Sequence, residues 1–169
     1  MDNLQVRLSE DFKLGWLACA IESEGSFQLA WGKRTDGYIQ IVPRVSLANK
    51  DQAYIDRVAS ICHDNGIPCY VQKRNSAGMK YTVWYGMKRV LHLLDLIEPY
   101  LAGKKDRAAI LRQFVEYRLS GVRNRPYGPT EKDLFLRLRN LNGAGRIPIK
   151  RLRLAFERNP NDYTPDTAR

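Results

Sequence analysis

The sequence predicts an α+β fold in which an antiparallel sheet is covered on one face by helices. Two observations carry that prediction. A helix-strand-strand order occurs twice in succession before further helices follow. The charge alternates in step with it: Lys+Arg minus Asp+Glu is −3 over 1–25, +3 over 26–50, −2 over 51–69, +5 over 70–90 and −2 over 91–100. The acidic stretches are the expected helices and the basic ones contain the expected hairpins.

Taken in order, Glu10 to Glu22 reads as a helix, because Phe12, Trp16, Leu17 and Ile21 fall near helical spacing. Ser26–Trp31 and Tyr38–Leu47 read as strands joined by the polar turn Lys33-Arg34-Thr35-Asp36-Gly37. Asn49 or Asp51 caps a second helix with the stripe Tyr54, Val58, Ile61 and Cys62, closed by Gly66. Pro68–Arg74 and Lys80–Gly86 are the next two strands, with Asn75-Ser76-Ala77-Gly78 between them. Val90–Ile97 is a short apolar helix stopped by Glu98-Pro99, and Lys104–Leu119 is a longer one. Val122–Pro129 resembles a linker. Thr130 is expected to cap a helix with the stripe Leu134, Leu138 and Leu141, and Ile147–Phe156 forms a last short helix. The expected organisation is a core over 1–120 and a basic helical extension over 121–169.

Composition narrows the function classes. With 169 residues, 44% hydrophobic and 27% charged, the chain suits one compact domain with an appendage and not a disordered polymer. No window approaches the roughly 18 apolar residues of a membrane span, and residues 1–5 lack the features of a secretory signal. Cys19, Cys62 and Cys69 are odd in number and lack CxxC spacing, which points to reduced thiols in an intracellular protein.

The net charge of +10 points to an anionic partner. Strand parity says where it would bind. Ser26 and Gln28 on the first strand, Tyr38, Gln40 and Arg44 on the second, and Lys33 and Arg34 in the turn are candidates. So are Tyr70, Gln72 and Arg74 on the third strand and Lys80, Thr82 and Trp84 on the fourth. Arg and Gln read guanine and adenine edges bidentately, and β-ribbons fit the major groove. An ordinary solvated sheet face is also polar. The extension, with residues 101–169 at +9, is expected either to clamp phosphates or to cover the sheet as a solvated cap.

Carboxylates gather beside a glycine at Leu17-Ala18-Cys19-Ala20-Ile21-Glu22-Ser23-Glu24-Gly25. This nonapeptide resembles the signature of the LAGLIDADG homing endonucleases. Leu17, Ala18, Ile21 and Gly25 match, Glu22 and Glu24 stand at the acidic positions, and Cys19 and Ala20 depart from the pattern. The resemblance covers roughly residues 10–120 and implies the αββαββα core, with its sheet forming a saddle. Gly15, Ala18, Cys19 and Glu22 share one helical face by spacing, so two such helices could approach closely there.

The resemblance implies a site-specific double-strand DNA endonuclease that hydrolyses phosphodiesters in a long pseudo-palindromic site and leaves short 3′ overhangs. Glu24 is the implied metal-ligating catalytic carboxylate, with the Ser23 carbonyl as a backbone ligand and Lys104, or else Lys105, as the active-site lysine. Ser46 or Asn49 would supply a polar neighbour where Leu47 occupies the usual register. Mg²⁺ is the implied cofactor, with Mn²⁺ a substitute and Ca²⁺ binding without efficient cleavage. With one signature, the implied assembly is a homodimer through Gly15, Ala18, Cys19 and Glu22. The implied partner is double-stranded DNA, with no membrane and no small-molecule substrate, in a prokaryotic cytoplasm or nucleoid or an organelle. The alternatives are an RNA maturase assisting intron splicing and a non-catalytic DNA-binding regulator on the same fold.

Overall fold

A computed structural model describes residues 9–33, 39–73, 78–121, 126–143 and 156. Arg34, Tyr38, Arg74 and nearly all of the expected last helix lie outside them, and Lys33 is placed by its backbone alone.

The chain opens with α1 (Glu10–Glu24), which runs directly into β1 (Gly25–Lys33) and then β2 (Ile39–Asn49). α2 (Gln52–Asp64), β3 (Tyr70–Lys73) and β4 (Lys80–Tyr85) repeat the order. α3 (Met87–Ile97), a short 3-10 turn (Glu98–Tyr100), α4 (Lys105–Leu119) and α5 (Pro129–Leu141) complete it. The four strands form one antiparallel sheet in the order β1-β2-β4-β3. The expected α+β class and element order are present, and no helix among the described residues is long and apolar enough to cross a membrane.

Local chemistry accounts for the boundaries. Ser9 caps α1 by accepting the Phe12 amide, and the Asp51 side chain caps α2 by accepting from the Ala53 and Tyr54 amides. The cap of α5 lies two residues before the expected Thr130. Gly128 is its N-cap, Pro129 fills the first turn, and the Gly128 amide donates to Glu131 Oε2 at 2.9 Å.

α1 runs two residues past the expected end, with no loop before β1. That junction explains Gly25: a Cβ there would lie 2.4 Å from the Ile21 carbonyl oxygen and 2.9 Å from Ile21 Cα. Any side chain would force the strand away from the helix end.

The core lies between the helices and one face of the sheet. β2 alternates cleanly, with Ile41, Pro43, Val45 and Leu47 buried and Gln40, Val42, Arg44 and Ser46 on the open face. Phe27 and Leu29 of β1 face the core as well. In α2 the buried stripe is Ile55, Val58, Ile61 and Cys62. Tyr54, expected in that stripe, is half-buried and packs against Trp16 at 5.3 Å between ring centroids.

β4 departs from the sequence reading. Its register sets Trp84 opposite Val45 and Thr82 opposite Leu47, so both face the helices and are fully buried. Lys80 shares that parity. The open-face residues of β4 are Tyr81, Val83 and Tyr85 instead. The reason is that Trp84 offers the larger apolar area to the core, while a tyrosine keeps a polar hydroxyl in water.

α5 lies against β1 and α4 and places Leu134, Phe135 and Leu138 in the same core cluster. Leu141, expected in its stripe, is exposed.

Candidate functional site

The acidic motif sits where α1, β1 and the turn before α4 meet. Its two glutamates differ in surroundings. The Glu22 carboxylate accepts three backbone amides from that turn, Ala102 (3.0 Å), Gly103 (3.0 Å) and Lys104 (2.7 Å). Burial alone would push the Glu22 pKa up, but the three amide bonds outweigh it and hold the group below the usual glutamate value. Glu22 is thus an anchor for the N-terminal end of α4, where a negative charge is also favoured by the helix dipole.

Anchoring Glu22 carries Lys104 back over α1. Its ammonium donates to the Ile21 carbonyl at 3.1 Å and the Gly25 carbonyl at 2.6 Å. A cation therefore covers carbonyls at the negative end of α1. Burial lowers the Lys104 pKa, with nearby Arg107 acting in the same sense, while the charges of Glu22 and Glu24 oppose the shift. Glu24 is exposed beside this group. The Ser23 hydroxyl turns back to the Cys19 and Ala20 carbonyls. Leu47, paired with Gly25 across the sheet, is buried and apolar.

The residues of the expected dimer face have partners within the chain, and Ala18 is not available to a second copy. Ala18 is fully buried within the chain, Glu22 faces the α4 turn, and a Cβ on Gly15 would meet Tyr100 at 3.7 Å. These residues serve packing of α1 within its own chain, because the helix must bury one face against α3 and the 3-10 turn. The outward stripe is Phe12, half-buried Trp16, Cys19 and Ser23, at four- and three-residue steps. Of the expected interface, only Cys19 is exposed on it.

On the open sheet face a polar network crosses β1 and β2. Gln28 Nε2 donates to Ser26 Oγ at 2.9 Å. Arg44 donates to Gln28 Oε1 from Nε at 3.1 Å and also from Nη2. Gln40 is on this face as well. Arg44 is opposite Tyr85 of β4, which stacks on Tyr70 of β3 at 4.8 Å, and the Arg89 guanidinium lies 4.9 Å from the Tyr70 ring centre. Gln72, opposite Tyr81, is on the same face. Sequence parity placed Ser26, Gln28, Gln40, Arg44, Tyr70 and Gln72 correctly. It missed Tyr81, Tyr85 and Arg89, although the stepwise recurrence of tyrosine at 81 and 85 was a visible signal.

Among the described residues no three His, Cys, Asp or Glu side chains gather to hold a metal ion. The available donor set is hard oxygen: one exposed carboxylate on Glu24 and backbone carbonyls at the end of α1. Such donors suit a divalent cation of the Mg²⁺ type that takes its remaining ligands from phosphates, water or a second chain.

The helix-strand-strand order, present twice around one four-stranded antiparallel sheet, is also the fold of solved LAGLIDADG homing endonucleases. The homing endonuclease I-CvuI, in complex with its target in the presence of Ca, superposes with a TM-score of 0.67 at 18% identity, over 86% of this chain and 93% of that one. The archaeal intron-encoded homing endonuclease I-Vdi141I, complexed with DNA, gives 0.63 at 18% identity over 91% and 93%. The LAGLIDADG homing endonuclease I-SmaMI bound to cleaved DNA gives 0.61 at 14% identity, covering 88% of this chain but 48% of that longer one. No protein-family model and no curated protein matches the sequence.

Proposed function

We propose that this chain is a site-specific, divalent-metal-dependent DNA endonuclease that works as a homodimer. The observation that carries the reading is the division of labour between the two glutamates. Glu22 is engaged by three backbone amides and holds Lys104 in place, which leaves Glu24 as an exposed carboxylate beside that lysine. The polar open face starting at Ser26 is continuous in sequence with it.

In this reading Glu24 and the Ser23 carbonyl hold Mg²⁺, which when bound supplies Lewis-acid polarisation of a phosphodiester and a more acidic water. Mn²⁺ substitutes, and Ca²⁺ supports binding without efficient cleavage. Lys104 places positive charge next to the reacting phosphate; burial lowers its pKa and eases proton exchange with water. Ser26, Gln28, Gln40, Arg44, Tyr70 and Gln72 face the duplex, with Tyr81 and Tyr85 beside them. Two copies meet through Phe12, Trp16, Cys19 and Ser23, where the small side chains Cys19 and Ser23 permit close approach of the helices. A two-fold dimer of this kind matches a pseudo-palindromic site cut to short 3′ overhangs.

The test is cleavage of a DNA library of candidate insertion sites with Mg²⁺ or Ca²⁺, wild type against Glu24→Gln, with the ends sequenced. Cuts at one near-palindromic site that require both Mg²⁺ and Glu24 are expected. Tight binding by wild type without any cut would instead favour the regulator, or the maturase if intron RNA competes.

A further inference from the structure

β2 outlasts its neighbour. β4 pairs with it over Arg44–Asn49 and ends at Tyr85. Gly86, at φ +93, turns the chain into α3 after a last contact from its amide to the Pro43 carbonyl at 3.2 Å. Pro43 has no amide to offer at the place where β4 stops, which suits a strand losing its partner. Beyond it, Ile41 still points its amide and carbonyl towards that open edge.

Tyr127, just before α5, fills the gap. Its hydroxyl oxygen accepts the Ile41 amide at 2.8 Å and its hydroxyl donates to the Ile41 carbonyl at 3.3 Å. One phenol thus replaces both ladder partners of a strand residue. The ring is itself held firmly. Phe114 of α4 stacks at 6.4 Å, Phe156 meets it edge-on at 6.0 Å, and the Arg118 guanidinium lies 4.6 Å from its centre.

Arg118 is fixed in turn by Glu131 at 3.1 Å, a carboxylate left only 1% exposed. Burying a carboxylate is costly unless it is paired. Here the pair is aimed at the ring that grips β2. Trp31 of β1, opposite Ile41, packs on Phe135 at 4.7 Å and so ties the partner strand to α5 as well.

We propose that Tyr127 is a positioning residue: with Arg118 and Glu131 it braces the outer half of β2, and thereby sets base selectivity at the flank of the DNA site read by Gln40. The proposal rests on the endonuclease reading for its recognition step, while the brace itself stands on contacts within the chain. Gln40 is on the open face immediately before the gripped Ile41. A change in the pitch of β2 there moves its side chain relative to a base edge, whereas Arg44 and Ser46 are held by β4.

Two measurements on the full chain test this. Tyr127→Phe keeps the ring and removes the hydroxyl. Amide exchange, read without DNA, should accelerate at Ile41 by roughly tenfold or more, while Val45 and Leu47, which face β4, keep their protection. Unchanged exchange at Ile41, or equal loss at all three, overturns the brace. Next, each base pair of the site recovered from the cleavage library is substituted in turn. Tyr127→Phe should reduce discrimination by about tenfold at the flank positions that Gln40→Ala also flattens, with the central positions unchanged. A uniform loss along the site overturns the selectivity role. A wild type that neither cuts nor binds DNA refutes the endonuclease reading instead, and the exchange measurement still decides the brace.

Discussion

The two helix-strand-strand units of this chain share an outline and differ at the joint. α1 passes into β1 without a loop, so Glu24, its last residue, directly precedes the sheet. α2 stops at Asp64, and the five residues 65–69 separate it from β3. In that gap Gly66, at φ +66, reverses the chain and the Ile67 amide returns to the Cys62 carbonyl at 2.8 Å. A helix joined to a strand through a single glycine delivers a carboxylate to a fixed place; one joined through a loop does not. The proposed chemistry is assigned to the first unit for that reason.

The largest expected effect separates the two joints directly. Glu24→Gln should reduce DNA cleavage by at least about a thousandfold while binding persists in Ca²⁺. Asp64→Asn at the corresponding joint should leave the rate within about twofold. Equal losses in a plasmid-cutting assay would abolish the distinction.

The faces of α1 come next. Cys19→Arg places a charge on the outward stripe and should convert a dimer to a monomer in sedimentation. Ala18→Leu, on the inward face, should leave the assembly alone and instead destabilise the chain by about 1–3 kcal/mol through overpacking. A dimer unaffected by Cys19→Arg would move the interface elsewhere.

Across the sheet, Arg44→Ala should relax preference at one base, with a loss of about 1–3 kcal/mol in discrimination. Gln72→Ala, on the edge strand, should show less in the same binding competition. The anchoring of Lys104 sets a pH signature. Because the folded Glu22 pKa lies below its usual value, its carboxylate stabilises the fold above the unfolded value and that contribution fades as pH falls through the lower, folded one. Glu22→Gln should flatten Tm against pH in the acidic range. The smallest effect is expected from Thr82→Val. Thr82 Oγ1 is buried with no hydrogen-bond partner among the described residues, so the substitution should shift stability by less than about 0.5 kcal/mol, or raise it slightly.

Much of the first unit was legible because its signals agree. The alternation in β2 is strict, the acids of the motif end a helix, and Gly25 marks the close junction. The β3–β4 hairpin read less well. Its fourth strand carries Tyr81, Thr82, Val83, Trp84 and Tyr85 in a row, and a run of β-formers does not by itself say which parity is buried. Parity there followed from pairing with β2, which aligns Trp84 with Val45. The inward set on α1 is similarly ambiguous in sequence, since small residues suit close packing against either a second copy or the chain's own helices. Contact with Tyr100 and the α4 turn assigned Gly15, Ala18 and Glu22 to the chain itself.

The sequence by itself determined the class of fold, the order of its elements and the position of the acidic motif, because these depend on periodicity and local caps. Tertiary structure alone decided that Glu22 holds Lys104, that β4 presents tyrosines and that Tyr127 completes the edge of β2. Each joins residues distant along the chain, with Glu22 and Lys104 80 or so positions apart and Ile41 and Tyr127 86 apart. Such pairings are set by how packed elements meet, and no local pattern encodes them.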